Sequence, residues 1–309
     1  MTTPIYDKIA VLGCGLIGSS IVRAARVHGM AGRITVFDLS AEVLQRVTEL
    51  GIADVVTADP VEAVKDADLI VLAPPPGAIV AAAEACAAGL KPGSTLTDVG
   101  SVKGPVSQAL AAAVPEGVFV VPGHPIAGTE FSGPDAGFPE LFHDRWTILT
   151  PSASQDPAYA EAVSRLTSFW EAMGAKVELM DERHHDLVLA VTSHLPHLIA
   201  YNIVGTAADL EEVTQAEVMK YSAGGFRDFT RIAASDPVMW RDVFTLNKDA
   251  VLEILARFTE DLQALSRAIR WGEADKLEEL FTRTRQIRTG VIALGQESAE
   301  PNFGRDKGR

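Results

Sequence analysis

The chain has 309 residues, 47% of them hydrophobic and 22% charged, a balance that suits a folded protein of two domains and excludes a disordered or fibrous one. A formal charge of −14 excludes a nucleic acid or an anionic membrane as partner, because both need a basic surface that releases counterions. Any anion site must then be built from a few local cations, while the overall charge serves solubility.

Residues 1–7 are short and polar and lack the basic and apolar regions of a secretory signal. Strands are predicted over 8–12, 33–37, 68–73, 94–98 and 118–121, where Val, Ile and Leu cluster. Helices are predicted between them, over 18–28, 41–50, 77–88 and 106–114. This alternation implies βαβ units, a doubly wound parallel sheet of α/β class. The apolar run 69–90 is long enough to span a bilayer, but Pro74, Pro75 and Pro76 divide it into strand, loop and helix, so no membrane partner is expected. A strand over 146–150, a helix over 157–173 and a strand over 176–180 extend the same pattern.

After Asp181 the periodicity changes. Leu187, Val188, Val191, Leu195, Leu198 and Ile199 recur at helical spacing on one face of a long helix. Further helices are expected over 215–220, 237–268 (broken once) and 273–294, with a loose polar tail. The domains are therefore read as 1–181, dinucleotide-binding, and 182–309, all helical. Cys14 and Cys86 form neither a CxxC pair nor a ligand cluster, which argues against a disulfide framework and fits a reducing, cytoplasmic setting.

Gly13-Cys14-Gly15-Leu16-Ile17-Gly18 is a GxGxxG that follows the first strand and opens a helix. The pattern alone is common, and the context lifts it, because Asp38 ends the second strand twenty residues after Gly18. Gly13 permits the tight turn, Gly15 lets backbone approach a diphosphate, and Gly18 lets helix and strand pack. The N–H groups at the helix start, around Leu16 and Ile17, face the phosphates. Asp38 is read as the ribose ligand, which repels a 2′-phosphate and favours NAD over NADP. Its alternative is a helix cap or turn residue, a role for which Ser40 competes.

Two loops lie at strand carboxyl ends, where ligands bind in such sheets. They are Gly100-Ser101-Val102-Lys103-Gly104 and Gly123-His124-Pro125-Ile126-Ala127-Gly128-Thr129-Glu130. The helical half adds Ser193-His194-Leu195-Pro196-His197 and a segment from Gly224 to Ala233, with Trp240 close behind. His194 and His197 share a helix face, but no third ligand stands at suitable spacing and no metal is expected. Trp240 reads as core before substrate contact. Arg227 and Asp228 either gate a pocket or pair with each other, and His184 and His185 read as solvated by default.

The strings GSVKG, GHPIAGTE, SHLPH and GGFRDFTRIA with DPVMWRD, in this order after a GxGxxG, resemble the bacterial prephenate/arogenate dehydrogenase family over nearly the whole chain. That resemblance implies NAD(P)-dependent oxidative decarboxylation of prephenate to 4-hydroxyphenylpyruvate, or of arogenate to tyrosine. It also implies a Rossmann domain and a homodimer formed through the helical domain. Position by position, His124 corresponds to the base that takes the ring hydroxyl proton, and Ser101 to a serine that orients this base and contacts the nicotinamide side. Arg231 corresponds to the ring-carboxylate ligand, His197 and His194 to substrate-pocket histidines, and Thr129 and Glu130 to further pocket residues. A neutral imidazole with a pKa near ~6.5 suits such a base. No mutase segment precedes the fingerprint and the tail is short for a regulatory domain, so one activity is expected. The rivals are a β-hydroxyacid-type dehydrogenase using a helical-domain lysine, Lys220 or Lys248, and a non-catalytic NAD-binding protein.

Overall fold

The computed structural model describes residues 3–129, 131–209 and 224–293. The chain forms two compact units, residues 1–251 and 252–309.

In the first unit, β1 (Tyr6–Leu12), β2 (Ala31–Phe37), β3 (Val55–Thr57), β4 (Leu69–Leu72), β5 (Thr95–Asp98) and β6 (Phe119–Val120) form one sheet in the order β3-β2-β1-β4-β5-β6. All its pairings are parallel. The helices between these strands are α1 (Leu16–Val27), α2 (Ala41–Leu50), α3 (Pro60–Val64), α4 (Ile79–Cys86) and α5 (Gly104–Ala113). Side-chain alternation shows why both faces are covered. Ile9 and Val11 of β1, with Leu69 and Val71 of β4, enter one core with Ile21, Phe142, Phe169 and Trp170. Their neighbours Ala10, Leu12, Ile70 and Leu72 enter the other, with Ile79, Leu96 and Leu110.

A second sheet of three strands joins β7 (Gly123–Pro125) antiparallel to β8 (Trp146–Leu149) and β8 parallel to β9 (Lys176–Leu179), with α6 (Pro157–Ala172) between the last two. The strands β3 and β7 are absent from the sequence reading. Each has three residues, and β7 is Gly-His-Pro, which carries no strand signal.

The expected long helix is α7 (Glu182–Leu189) and α8 (Leu195–Ala208) joined by a π-helical turn, Ala190–His194. Pro196 explains the turn, since it offers no N–H to Thr192 and its ring crowds that carbonyl. Asp181 caps α7 through the N–H groups of Arg183 and His184 at 3.0 and 3.1 Å. The run Glu182–Ala208, with a mean hydropathy of 1.4, is long and apolar enough to cross a membrane. It nonetheless buries His185, Asp186 and His194, and these polar groups bond within the first unit. Then come α9 (Gly224–Thr230), a 3₁₀ turn (Arg231–Ala234), α10 (Pro237–Leu246) and the start of α11 (Lys248–Trp271). The expected break in the 237–268 helix thus falls at Asn247. The second unit holds the rest of α11 and α12 (Ala274–Ala293). The helix expected over 215–220 and the tail lie outside the described residues.

The change of periodicity at Asp181 lies inside the first unit, because the helices after it are bound to the sheet's carboxyl-end loops. Val102 of the loop after β5 is fully buried with Trp240 and Val243 of α10. The Asp186 carboxylate accepts the N–H of Lys103 at 2.8 Å and of Gly104 at 2.9 Å, capping α5 from α7. Beneath it, Lys103 and Asp98 form an ion pair with both side chains fully buried. Lys103 Nζ also donates to the Gly123 carbonyl at 2.7 Å, and Asp98 accepts the Gly100 N–H at 2.9 Å. Burial pulls the Lys103 ammonium below its ordinary pKa against the attraction of Asp98.

Removing one member of such a pair strands the other. Lys103→Met is therefore expected to cost about 3–5 kcal/mol, read by chemical denaturation. Adding Asp98→Asn, which leaves no buried carboxylate unpaired, should recover more than half of that loss. A double variant no more stable than Lys103→Met would show that the pair is not what holds the loops.

Candidate active site

The loop after β1 has the shape a diphosphate needs. Gly13 has φ +94, and a Cβ there would lie 2.6 Å from the Ala73 carbonyl carbon of the loop after β4. A Cβ on Gly18 would lie 2.0 Å from the Gly13 oxygen, whereas one on Gly15 would meet nothing within 4 Å. Two of the glycines thus close the turn and the third keeps a face open for a ligand. The first turn of α1, from Leu16 through Ile17, contains no acidic residue to compete with an anion for its N–H groups. Asp38 accepts the Cys14 N–H at 2.8 Å on one carboxylate oxygen and the Ser40 N–H at 2.9 Å on the other. Each oxygen retains a lone-pair direction for a ribose hydroxyl. Ser40, not Asp38, caps α2, through Val43 N–H at 3.3 Å. These residues fit a dinucleotide.

His124 lies on β7, where Gly123 makes close approach possible. A Cβ on Gly123 would stand 3.1 Å from the Asp98 carbonyl oxygen and 3.2 Å from Thr97 Oγ1. The His124 ring is buried, with Nδ1 2.9 Å from His185 Nε2. His185 is fully buried, and its Nδ1 lies 2.8 Å from Asp186 Oδ1. The solvated role expected of His185 is therefore wrong. Asp181 ends the preceding loop and starts α7, so that Asp186 and His185 turn inward.

The protons in this chain follow from the partners. Burial raises the Asp186 carboxyl, but His185 and the N–H groups of Lys103 and Gly104 outweigh it and hold the group below its ordinary value. An ionised carboxylate only accepts, so His185 Nδ1–H donates to it. Burial lowers His185, opposed by Asp186, leaving a neutral ring whose Nε2 is a lone pair. That lone pair accepts the His124 Nδ1–H. His124 then carries no proton on Nε2 while it is neutral. Burial first, then His185, Lys103 and His194, push its pKa well below the imidazole value expected from sequence.

Ser101 is half-buried beside Gly100. Among the described residues no hydrogen bond joins it to His124, whose orientation comes from His185 instead. Thr129 is exposed and its Oγ1 accepts the Phe131 N–H at 3.2 Å. Glu130 lies outside the described residues.

A second cluster continues from the first. His194 is fully buried within electrostatic reach of His124, His185 and His197. The His197 ring stacks on Trp240 at 3.7 Å, and its Nδ1–H donates to the Ser193 carbonyl at 2.8 Å, leaving Nε2 as an acceptor. Burial lowers His197, with the Ser193 carbonyl opposing and the Arg231 guanidinium adding to the fall, so Arg231 stands close to it. Arg231 itself is exposed at the start of the 3₁₀ turn. His124, His194, His197 and Arg231 are thus successive electrostatic neighbours. Trp240 belongs to the core as expected and is also the platform for His197. Arg227 and Asp228 are exposed and 3.6 Å apart, a loose pair. Lys248 is exposed and Lys220 lies outside the described residues, so the lysine rival gains no support. Sequence reasoning missed His185, Asp186, Lys103 and Asn247. Only Lys103, inside a glycine-flanked loop, offered a signal.

The family model for the nucleotide-binding domain of prephenate dehydrogenase matches residues 21–179, and that for its dimerization domain matches residues 181–283. A cyclohexadienyl dehydrogenase of Zymomonas mobilis is 42% identical over 93% of this chain and 97% of its own length. A prephenate dehydrogenase of Bacillus subtilis is 33% identical over 96% of this chain and 79% of its own. The crystal structure of Aquifex aeolicus prephenate dehydrogenase with hydroxyphenyl propionate and NAD+ superposes with a TM-score of 0.85 at 32% identity, covering 94% of this chain and 99% of that one. Glycine turn, buried imidazole chain and the cluster of His194, His197 and Trp240 therefore stand in a chain that belongs to the prephenate dehydrogenase family.

Proposed function

We propose that this chain catalyses the NAD-dependent oxidative decarboxylation of prephenate to 4-hydroxyphenylpyruvate, of arogenate to tyrosine, or of both, in the cytoplasm. In this reading residues 1–181 hold the dinucleotide through Gly13, Gly15, Leu16, Ile17, Gly18 and Asp38. Residues 182–309 supply the substrate pocket and the dimer contact. The carrying observation is the buried chain His124–His185–Asp186, at 2.9 and 2.8 Å, from which it follows that His124 presents a bare Nε2 as a neutral base.

The bound nicotinamide supplies the acceptor for the hydride that leaves ring C4. His124 Nε2 takes the proton of the C4 hydroxyl, and the charge it gains is shared through Nδ1–H with His185 and Asp186. Loss of CO2 from the opposite ring carbon leaves the electron pair that makes the ring aromatic, and the phenolate oxygen takes the proton back. No net proton leaves the site, so a buried base is adequate. Arg231 holds the ring carboxylate, Ser101 contacts the nicotinamide side, and His194, His197, Thr129 and Glu130 line the pocket. The main task is alignment of C4 with the acceptor.

NADH formation with prephenate and arogenate side by side tests this reading, each with NAD and with NADP. NAD should be preferred because Asp38 repels a 2′-phosphate, and equal rates would remove that role. His124→Asn should lower kcat by ~10²–10⁴. Arg231→Ala should act mainly on KM, raising it about fivefold, because a grip on a carboxylate present throughout binds ground and transition states alike. The reverse split would refute both roles.

Burial lowers the His124 pKa, and the base works unprotonated. The acid limb of the kcat/KM profile should therefore lie below pH ~6.5. A limb at or above that value would mean His124 is not the group that must lose its proton.

A homodimer through the helices is supported by apolar side chains that a single chain leaves exposed. They include Val191, Ile203 and Val204 in the first unit, and Leu262, Ile269 and Phe281 in the second. Sedimentation equilibrium should return twice the chain mass of 32.9 kDa, and a monomer at micromolar concentration would contradict it.

A further inference from the structure

Asn247 is the residue between α10 and α11, and it is 4% exposed. Its N–H continues the α10 ladder to the Val243 carbonyl at 2.9 Å, while its side chain turns toward α7 and the π-helical turn. Nδ2 donates to the Asp186 carbonyl at 2.9 Å and lies 3.1 Å from His194 Nδ1. The carbonyl can only accept, so this end of the side chain is the NH₂, and its second hydrogen points to the imidazole. His194 Nδ1 must then be the acceptor, and the ring's proton sits on Nε2.

Burial pushes the His194 pKa down to about 4, with Asp186 opposing and His185 and His197 adding to the fall, so the ring is neutral. His194 Nε2–H is buried and has no partner among the described residues. Such a buried donor, like Trp240 Nε1 beside it, calls for an acceptor supplied from outside the chain, a water or a bound ligand. The ring stands edge to face with Trp240 at 6.0 Å, and Trp240 in turn carries His197. His194 therefore has His124 on one side and His197 on the other, with Arg231 next to the last.

We propose that Asn247 is a positioning residue that locks His194 as the Nε2–H tautomer, so that His194 donates a hydrogen bond to an oxygen of the bound substrate. The acceptor is an oxygen of the side chain on the ring, either the keto oxygen of a 2-oxo acid or the carboxylate that 2-oxo and 2-amino acids share. This rests on the reading of the site as a cyclohexadiene pocket. An ammonium group cannot use such a donor.

The first test is the ¹⁵N imidazole spectrum of the full-length protein with labelled histidine. It should show the proton on Nε2 of His194 and a bare Nδ1 at neutral pH. A proton on Nδ1 overturns the proposal. This readout is independent of turnover, so it stands even if the chain acts on neither substrate, which would refute the proposed function alone.

The second test is Asn247→Asp, whose carboxylate accepts and so draws the His194 proton to Nδ1. At pH 8 the KM for prephenate should rise about tenfold, with the KM for NAD unchanged. As pH falls and the imidazole takes a second proton, Nε2–H returns and KM should fall back. Asp186, His185, His197 and His124 face the same ring, and the wild-type profile serves as their control. A rise for prephenate alone assigns the keto oxygen, and a rise for arogenate as well assigns the shared carboxylate. Unchanged KM values, or a rise independent of pH, overturn the proposal. If Asn247→Asp does not fold, His194→Gln, which keeps an amide donor near Nε2, should hold the prephenate KM where His194→Leu raises it; equal values for the two would refute the donor.

Discussion

The carboxylate of Asp186 is the contact on which the site depends. One oxygen takes the Lys103 N–H and the His185 Nδ1–H, and the other takes the Gly104 N–H. It therefore caps α5, ties the loop after β5 to α7, and sets the proton on His185 at once. A carboxylate at a helix N-terminus is stabilised by the N–H groups it meets there. Beneath it, Lys103 joins the Asp98 carboxylate to the Gly123 carbonyl, the residue before His124. The His124 imidazole, the base proposed here, is thus held from two sides, by its ring through His185 and through the preceding Gly123 carbonyl by Lys103. Neither anchor belongs to the strand that carries it.

Burial gives this arrangement its chemical character. The rings of His124, His185, His194 and His197 are all depressed by desolvation, so each is neutral and each has one donor and one acceptor nitrogen. Which nitrogen donates is then decided by a neighbour that can only accept or only donate. Asp186 decides it for His185, which decides it for His124. The Ser193 carbonyl decides it for His197, and the Asn247 NH₂ for His194. A more solvated site would let these tautomers interconvert freely, and the base would spend part of its time facing the wrong way.

The Rossmann half was legible from residues because its signals are local. Strand runs of Val, Ile and Leu, the glycine turn and Asp38 each state their role within a few positions, and the sheet confirms the five strands so read to within two residues, while the three-residue β3 was missed. The three-residue strand β7 was not legible, since Gly-His-Pro has no periodicity and its strand character comes only from pairing with β8. His185 was misread for a related reason. Two histidines after Asp181 and Glu182 look like a polar helix start, and nothing local says that α7 is packed against the loop after β5. Asn247 shows the same limit: the helix break was foreseen, but the direction of its side chain depends on Asp186 and His194, both more than fifty residues away. The family resemblance supplied His124 and Arg231, whose types the chemistry explains but whose positions no periodicity marks.

The chain's charge of −14 makes the handling of an anionic substrate a real constraint, and the role proposed for Arg231 answers it. In the proposed reading the neutral imidazoles of His124, His194 and His197 meet the ligand by donors and acceptors, which costs no stranded charge when the ligand leaves. The ring carboxylate is different, because the reaction converts it to neutral CO2 while the cation that held it remains. A buried guanidinium would be left unpaired at that moment, with a penalty of several kcal/mol. Arg231 is exposed at the start of its 3₁₀ turn, so water can replace the lost carboxylate as soon as it is gone. An exposed grip is weaker, but it does not stabilise the carboxylate against the bond cleavage that the reaction requires. The one full charge proposed to meet the substrate therefore lies where solvent can reach it, while the charges that fix geometry, on Asp186, Lys103 and Asp98, are buried and paired.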